Sequence, residues 1–155
     1  MVKTLQALVM ACACCAVSVQ AGDAPVLSEA WVRVLPPNQA QTAAYLTVAN
    51  PTEAEVVIVG ASASVAESVE IHVTREVEGS MRMQRLDELR VAPGSELALS
   101  PGATHLMLLG LRRMPAPGEE VNLCLQLASG AEVCTRAVAR KNVNVHGFSP
   151  GAHSH

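Results

Sequence analysis

The chain has 155 residues, 50% of them apolar and 16% charged, with 11 Lys and Arg against 14 Asp and Glu. So balanced a charge supplies no basic field for phosphates, and one Trp, one Tyr and one Phe supply no platform for stacked bases, which speaks against nucleic-acid binding. The apolar fraction speaks equally against a disordered chain and leaves a single folded domain.

In chain order, residues 1–21 read as a secretory signal peptide: Lys3 gives the positive start, an apolar run follows, and Val19-Gln20-Ala21 offers a cleavage point after Ala21. The apolar run, from Leu5 to Val19, falls short of the roughly 20 residues of a spanning helix, and no stop-transfer segment follows it. An exported, soluble product is expected. Val9-Met10-Ala11-Cys12 loosely resembles a lipobox, so a lipoprotein is the alternative. Cleavage removes Cys12, Cys14 and Cys15 and leaves Cys124 and Cys134, a pair expected to bridge in an oxidising compartment, with two free, buried thiols as the alternative.

Residues 22–139 are the expected domain. Within them apolar and polar residues alternate over 30–34, 44–48, 56–59, 69–73, 81–83, 97–99, 105–109, 121–127 and 133–138. Turn signals such as Pro36-Pro37, Asn50-Pro51, Glu78-Gly79 and Pro101-Gly102 separate these runs. Eight or nine strands at this spacing make an all-β sandwich or small Greek-key barrel. The most helix-compatible stretch, 81–91, is cut short by Pro93. Near the end, a loop Ala128-Ser129-Gly130 with Gly130 left-handed pairs Leu127 with Ala131 and sets Cys124 opposite Cys134, within disulfide reach. Residues 140–155 lose all periodicity and carry His146, His153 and His155, as expected of a flexible tail.

Four metal-capable side chains, His72, Met83, His105 and Met107, form the pattern His-x10-Met-x21-His-x-Met. On a strand His105 and Met107 share one face, while Leu106 and Leu108 take the other. His72 likewise falls with Glu70 and Thr74, opposite Val69, Ile71 and Val73. The turn at Glu78-Gly79-Ser80 returns Met83 towards His72. Singly, such residues are ordinary surface histidines or core methionines. As a set, two imidazoles and two thioethers make a soft site that favours Cu(I) over Zn, Ca or Mg. Four neutral ligands leave its charge uncancelled, so the site is expected near the surface. Met81 is a further ligand candidate beside Met83, or a packing residue.

No His-Glu-x-x-His, Gly-x-Ser-x-Gly or paired-carboxylate motif occurs, so no enzyme is expected. A blue-copper electron-transfer site needs a Cys thiolate with two His, and neither Cys124 nor Cys134 is followed closely by His or Met. An exported structural or adhesive β-sandwich without metal is the other alternative.

The chain resembles the periplasmic copper(A) chaperone family, whose signature is this same His, Met, His-x-Met spacing. The resemblance also covers Ala30-Trp31-Val32-Arg33, Ala43 to Asn50, Val69-Glu70-Ile71-His72, Met81-Arg82-Met83, Pro101 to Leu111 and Gly118 to Val121. It implies a cupredoxin-like Greek-key barrel that binds one Cu(I) through His72, Met83, His105 and Met107 in the periplasm. It implies delivery or buffering of copper, with a cytochrome c oxidase subunit or another assembly chaperone as acceptor. Because some members of that family carry His- or Met-rich extensions that bind a second ion, the resemblance makes His146, His153 and His155 candidates for a Cu(II) ion, with a mobile tail of incidental affinity as the alternative.

Overall fold

Residues whose side chains alternate between apolar and polar can bury one face only by joining a sheet. In the computed structural model, which describes residues 24–141, ten strands do so: β1 (Val26–Arg33), β2 (Gln41–Ala49), β3 (Val56–Ala63), β4 (Ser68–Val77), β5 (Ser80–Leu86), β6 (Leu89–Val91), β7 (Glu96–Leu99), β8 (Thr104–Leu109), β9 (Glu120–Leu127) and β10 (Glu132–Arg140). There is no helix among the described residues, so the all-β expectation holds. The strand count exceeds the expected eight or nine. The extra strand, β6, lies between Asp87-Glu88 and Pro93 and is too short to show a period, but it finds partners on β3 at Val56, Val57 and Ile58. Strand β10 also continues to Arg140, one residue beyond the expected domain end, where the Arg140 carbonyl accepts from Val34 N–H at 2.9 Å.

The strands run in the order β5-β4-β8-β2-β1-β10-β9-β3-β6, and a further β4–β3 pairing at Ala61 and Val69 closes the path. The result is a cupredoxin-like barrel whose wall is β4-β8-β2-β1-β10-β9-β3, parallel only between β1 and β10. Strands β5 and β6 lie outside the ring on β4 and β3, and β7 pairs with the far half of β2. Val32, Leu46, Ile71, Leu106, Leu108 and Leu123 fill the interior. Burying such side chains contributes about 1.5–3 kcal/mol each before chain entropy is set against it.

Two turns fix the registers that matter. Glu78 and Gly79 adopt φ of 52° and 75°, the mirror-image turn that suits a two-residue hairpin, and pair Val77 with Ser80. Gly130 adopts φ of 87°, Leu127 N–H donates to the Ala131 carbonyl, and Cys124 stands opposite Cys134. Those two cysteines form a disulfide with Cα atoms 4.0 Å apart. Buried Asn50 ties the β2 end to β6 by donating to the carbonyls of Ala54, Val91 and Ala92. The expected signal peptide at 1–21 and tail histidines His146, His153 and His155 lie outside the described residues.

Candidate metal centre

Register brings the metal-capable residues to one outer face. On β4–β8, His72 is directly opposite His105 and Glu70 opposite Met107. On β4–β5, Thr74 is opposite Met83, so Met83 shares the face of His72. Ala43 of β2 is opposite Met107, and its small side chain leaves space there. Met83, His105 and Met107 line one cavity of about 260 Å³, with Arg33, Tyr45 and Thr74 among its other walls. His72 does not line that cavity. Its ring lies beside that of His105, with centroids 6.1 Å apart.

The two imidazoles are anchored at different nitrogens. His105 Nδ1 lies 2.9 Å from the Ala103 carbonyl, an acceptor only, so Nδ1 carries the hydrogen and Nε2 keeps a lone pair. His72 Nε2 lies 2.8 Å from the Glu70 carboxylate, while its Nδ1 is buried with no hydrogen-bond partner. Glu70 also accepts from Arg85 Nη1 at 2.9 Å. The hydrogen bond from His72, aided by the Arg85 charge, holds the Glu70 carboxyl below the usual range although partial burial opposes this. An orphaned buried nitrogen, a free imidazole Nε2 and two thioethers fit a soft monovalent cation.

Exposure is uneven across the set. Met83 is 54% exposed and His105 only 4%. Met83 therefore stands at the surface, whereas His105 is enclosed. The cause is a row of rings across β1, β2, β8 and β4: Trp31, Tyr45, His105 and His72 follow one another at centroid spacings of 4.4, 6.3 and 6.1 Å. The Arg33 guanidinium carbon sits 5.3 Å from the Tyr45 ring centroid, and that of Arg140 sits 4.6 Å from Trp31. Burial pushes the Tyr45 phenol up, against the lowering effect of Arg33, so the wall it forms is neutral.

A family model described as "Putative lipoprotein LpqE-like" matches residues 26–139. The chain belongs to this LpqE-like family. A protein of Leifsonia xyli subsp. xyli described as a "Putative lipoprotein" is 33% identical over 110 residues, which is 70% of this chain and 65% of that relative's length. Among solved structures, the copper-bound PCuAC domain from PmoF2 superposes with a TM-score of 0.64 at 19% identity, over 76% of this chain and 93% of that one. Apo-DR1885 from Deinococcus radiodurans gives 0.61 at 29% identity over 92% and 95%, and the CuI-DR1885 structure 0.57 at 31% over 76% and 78%. The resemblance to the periplasmic copper(A) chaperones read from the sequence is thus borne out, as is the fold it implied.

In this LpqE-like chain Met81, opposite Glu76, shares the outward face of Met83 and is 63% exposed, whereas Met114 is core. The sulfurs of Cys124 and Cys134 and a Glu132 carboxylate oxygen lie within 4.8 Å of one another, but the two sulfurs are joined to each other and offer no thiolate. Sequence reasoning missed the roles of Glu70, Arg85 and the Ala103 carbonyl. Glu70 was visible as the residue two before His72 on the same face; its acceptor role depends on a rotamer and on Arg85 across the strand.

Proposed function

We propose that this chain is a copper chaperone domain that carries one Cu(I) on His72, Met83, His105 and Met107 and passes it on by ligand exchange. The observation that carries the reading is the convergence of Met83, His105 and Met107 on one cavity, with His72 opposite His105 in register and its Nδ1 buried without a hydrogen-bond partner. The copper carried by PmoF2 and DR1885, which share the fold, supports it. Exposed Met83 is the ligand an acceptor replaces first, because it lies on an edge strand and its loss leaves three donors in place. The copper remains Cu(I) throughout and no electron moves. The acceptor is a copper-receiving protein of cytochrome c oxidase assembly, or another carrier.

Export to the periplasm is directed by residues 1–21, the domain spans 22–139, and the segment 140–155 adds His146, His153 and His155 for a Cu(II) ion. The lipoprotein description shared by the family and the Leifsonia relative favours, as a second reading, a lipid on Cys12 in place of cleavage after Ala21. The mass of the mature protein separates a start at Gly22 from a lipid-modified Cys12.

Anaerobic competition between the domain and a chromophoric Cu(I) chelator tests the central reading. One tight equivalent is expected, abolished in a His105→Ala, Met107→Ala variant. A parent protein that withdraws no copper from the chelator contradicts it.

A further inference from the structure

The arrangement of the two histidines points to a role for Glu70 beyond the four ligands, resting on the copper reading above. We propose that Glu70 is a positioning residue that holds His72 as the Nε2–H tautomer, so that Nδ1, and not Nε2, is the nitrogen His72 offers to Cu(I).

Three observations carry this. First, Glu70 and His72 are two apart on β4 and project from one face, which puts the carboxylate beside the ring; Nε2 lies 2.8 Å from Oε2. Second, Arg85 stands opposite His72 on β5 and donates to the other oxygen, Oε1, at 2.9 Å, so the carboxylate is fixed from two sides. An ionised carboxylate accepts hydrogen bonds but donates none, so the hydrogen it receives must belong to Nε2, and a neutral imidazole then has its lone pair on Nδ1. Third, that Nδ1 is buried and has no hydrogen-bond partner. A buried nitrogen whose lone pair meets nothing is unfavourable unless a ligand comes to it.

His105 shows the inverse arrangement. Its Nδ1 is occupied by the Ala103 carbonyl and its Nε2 is free. The two rings, opposed in register, are therefore anchored at unlike nitrogens, one by a carboxylate and the other by the backbone, which leaves Nδ1 of His72 and Nε2 of His105 without a hydrogen-bond partner. A carboxylate on the far nitrogen of a ligating imidazole fixes the ring and raises its basicity, and removing such a partner typically lowers metal affinity by about 10–100-fold. Arg85, itself exposed, pairs with the other Glu70 oxygen at 2.9 Å and so offsets part of the carboxylate charge while holding its orientation.

The experiment uses the apo protein first. Long-range 1H–15N correlation spectra of 15N-histidine-labelled protein identify Nε2 as the ring nitrogen coupled to both carbon-bound protons, and show which nitrogen is protonated. His72 is expected as the Nε2–H tautomer in the parent and in Glu70→Gln, whose amide oxygen still accepts, and as a mixture in Glu70→Ala. The His105 pattern, held by Ala103, is the internal control that the variants are folded. Cu(I) added under chelator competition is expected to bind about 10–100-fold more weakly to Glu70→Ala, with Glu70→Gln within a few-fold of the parent. A proton on Nδ1 of His72 in the apo parent overturns the proposal, as does a Glu70→Ala variant with unchanged tautomer and affinity. A parent that shows the Nε2–H tautomer, lost in Glu70→Ala, but takes up no Cu(I) upholds Glu70 as the anchor of the ring and overturns the copper reading instead.

Discussion

Two hairpins of this barrel carry sulfur, and they use it in opposite ways. The β9–β10 hairpin lies in the barrel wall, with β3 and β1 as outer neighbours, and its cysteines close a covalent link between its own strands. Among the described residues the β4–β5 hairpin leaves β5 with β4 as its only sheet neighbour, and its methionines, Met81 and Met83, stand exposed. Thiols opposed across a strand pair in an oxidising compartment become structure. Thioethers cannot cross-link and keep soft lone pairs for a passing cation. The wall hairpin has its geometry locked by a covalent link, while the edge hairpin leaves its two sulfurs at the surface.

The sharpest way to break this contrast is to remove donors. A His105→Ala, Met107→Leu variant keeps the hydrophobic volume at Met107 and is expected to lose more than the roughly 100-fold in Cu(I) affinity that an outer hydrogen-bond partner is worth, by chelator competition. Removing the other sulfur pair should act on the fold alone. Cys124→Ala with Cys134→Ala is expected to lower stability by about 2–3 kcal/mol in denaturant titration and to leave Cu(I) affinity unchanged. A fall in affinity as large as that of the donor variant would end the division of labour.

Turn substitutions sharpen it further. Gly79→Ala and Gly130→Ala each place a Cβ on a left-handed residue, at φ of 75° and 87°, and each should cost about 1 kcal/mol. Gly79→Ala is expected to weaken Cu(I) binding as well, since the turn sets Met83 opposite Thr74, whereas the disulfide preserves the register behind Gly130. The smallest effect concerns the start of β9, where Arg113 and the Ala116 N–H hold the Glu119 carboxyl at about 2. A carboxyl lowered on folding adds stability that is complete above its ordinary pKa and is lost as pH falls from there through about 2. Glu119→Gln should therefore flatten the acid side of a melting-temperature profile between pH 4.5 and about 2, without altering neutral-pH copper binding.

How much of this was legible beforehand depended on whether the signal lay along one strand or between two. The His105-x-Met107 face, the Glu78-Gly79 return and the Cys124–Cys134 register follow from strand period and turn chemistry. They are local, and the sequence is sufficient for them. β6 escaped because three residues carry no period and its pairing with β3 is purely tertiary. The burial of His105 escaped because Tyr45, the ring that covers it, comes from a strand remote in sequence. The Glu70 contact is intermediate: its position on the face of His72 is readable, while its engagement depends on Arg85 across the hairpin.

The most direct test of the central claim is X-ray absorption at the copper edge of the Cu(I)-loaded domain. Two sulfur and two nitrogen scatterers are expected, with one sulfur lost in Met83→Leu and one in Met107→Leu. A shell of nitrogen and oxygen alone, or one unchanged in both variants, would contradict the assignment of these thioethers to the metal.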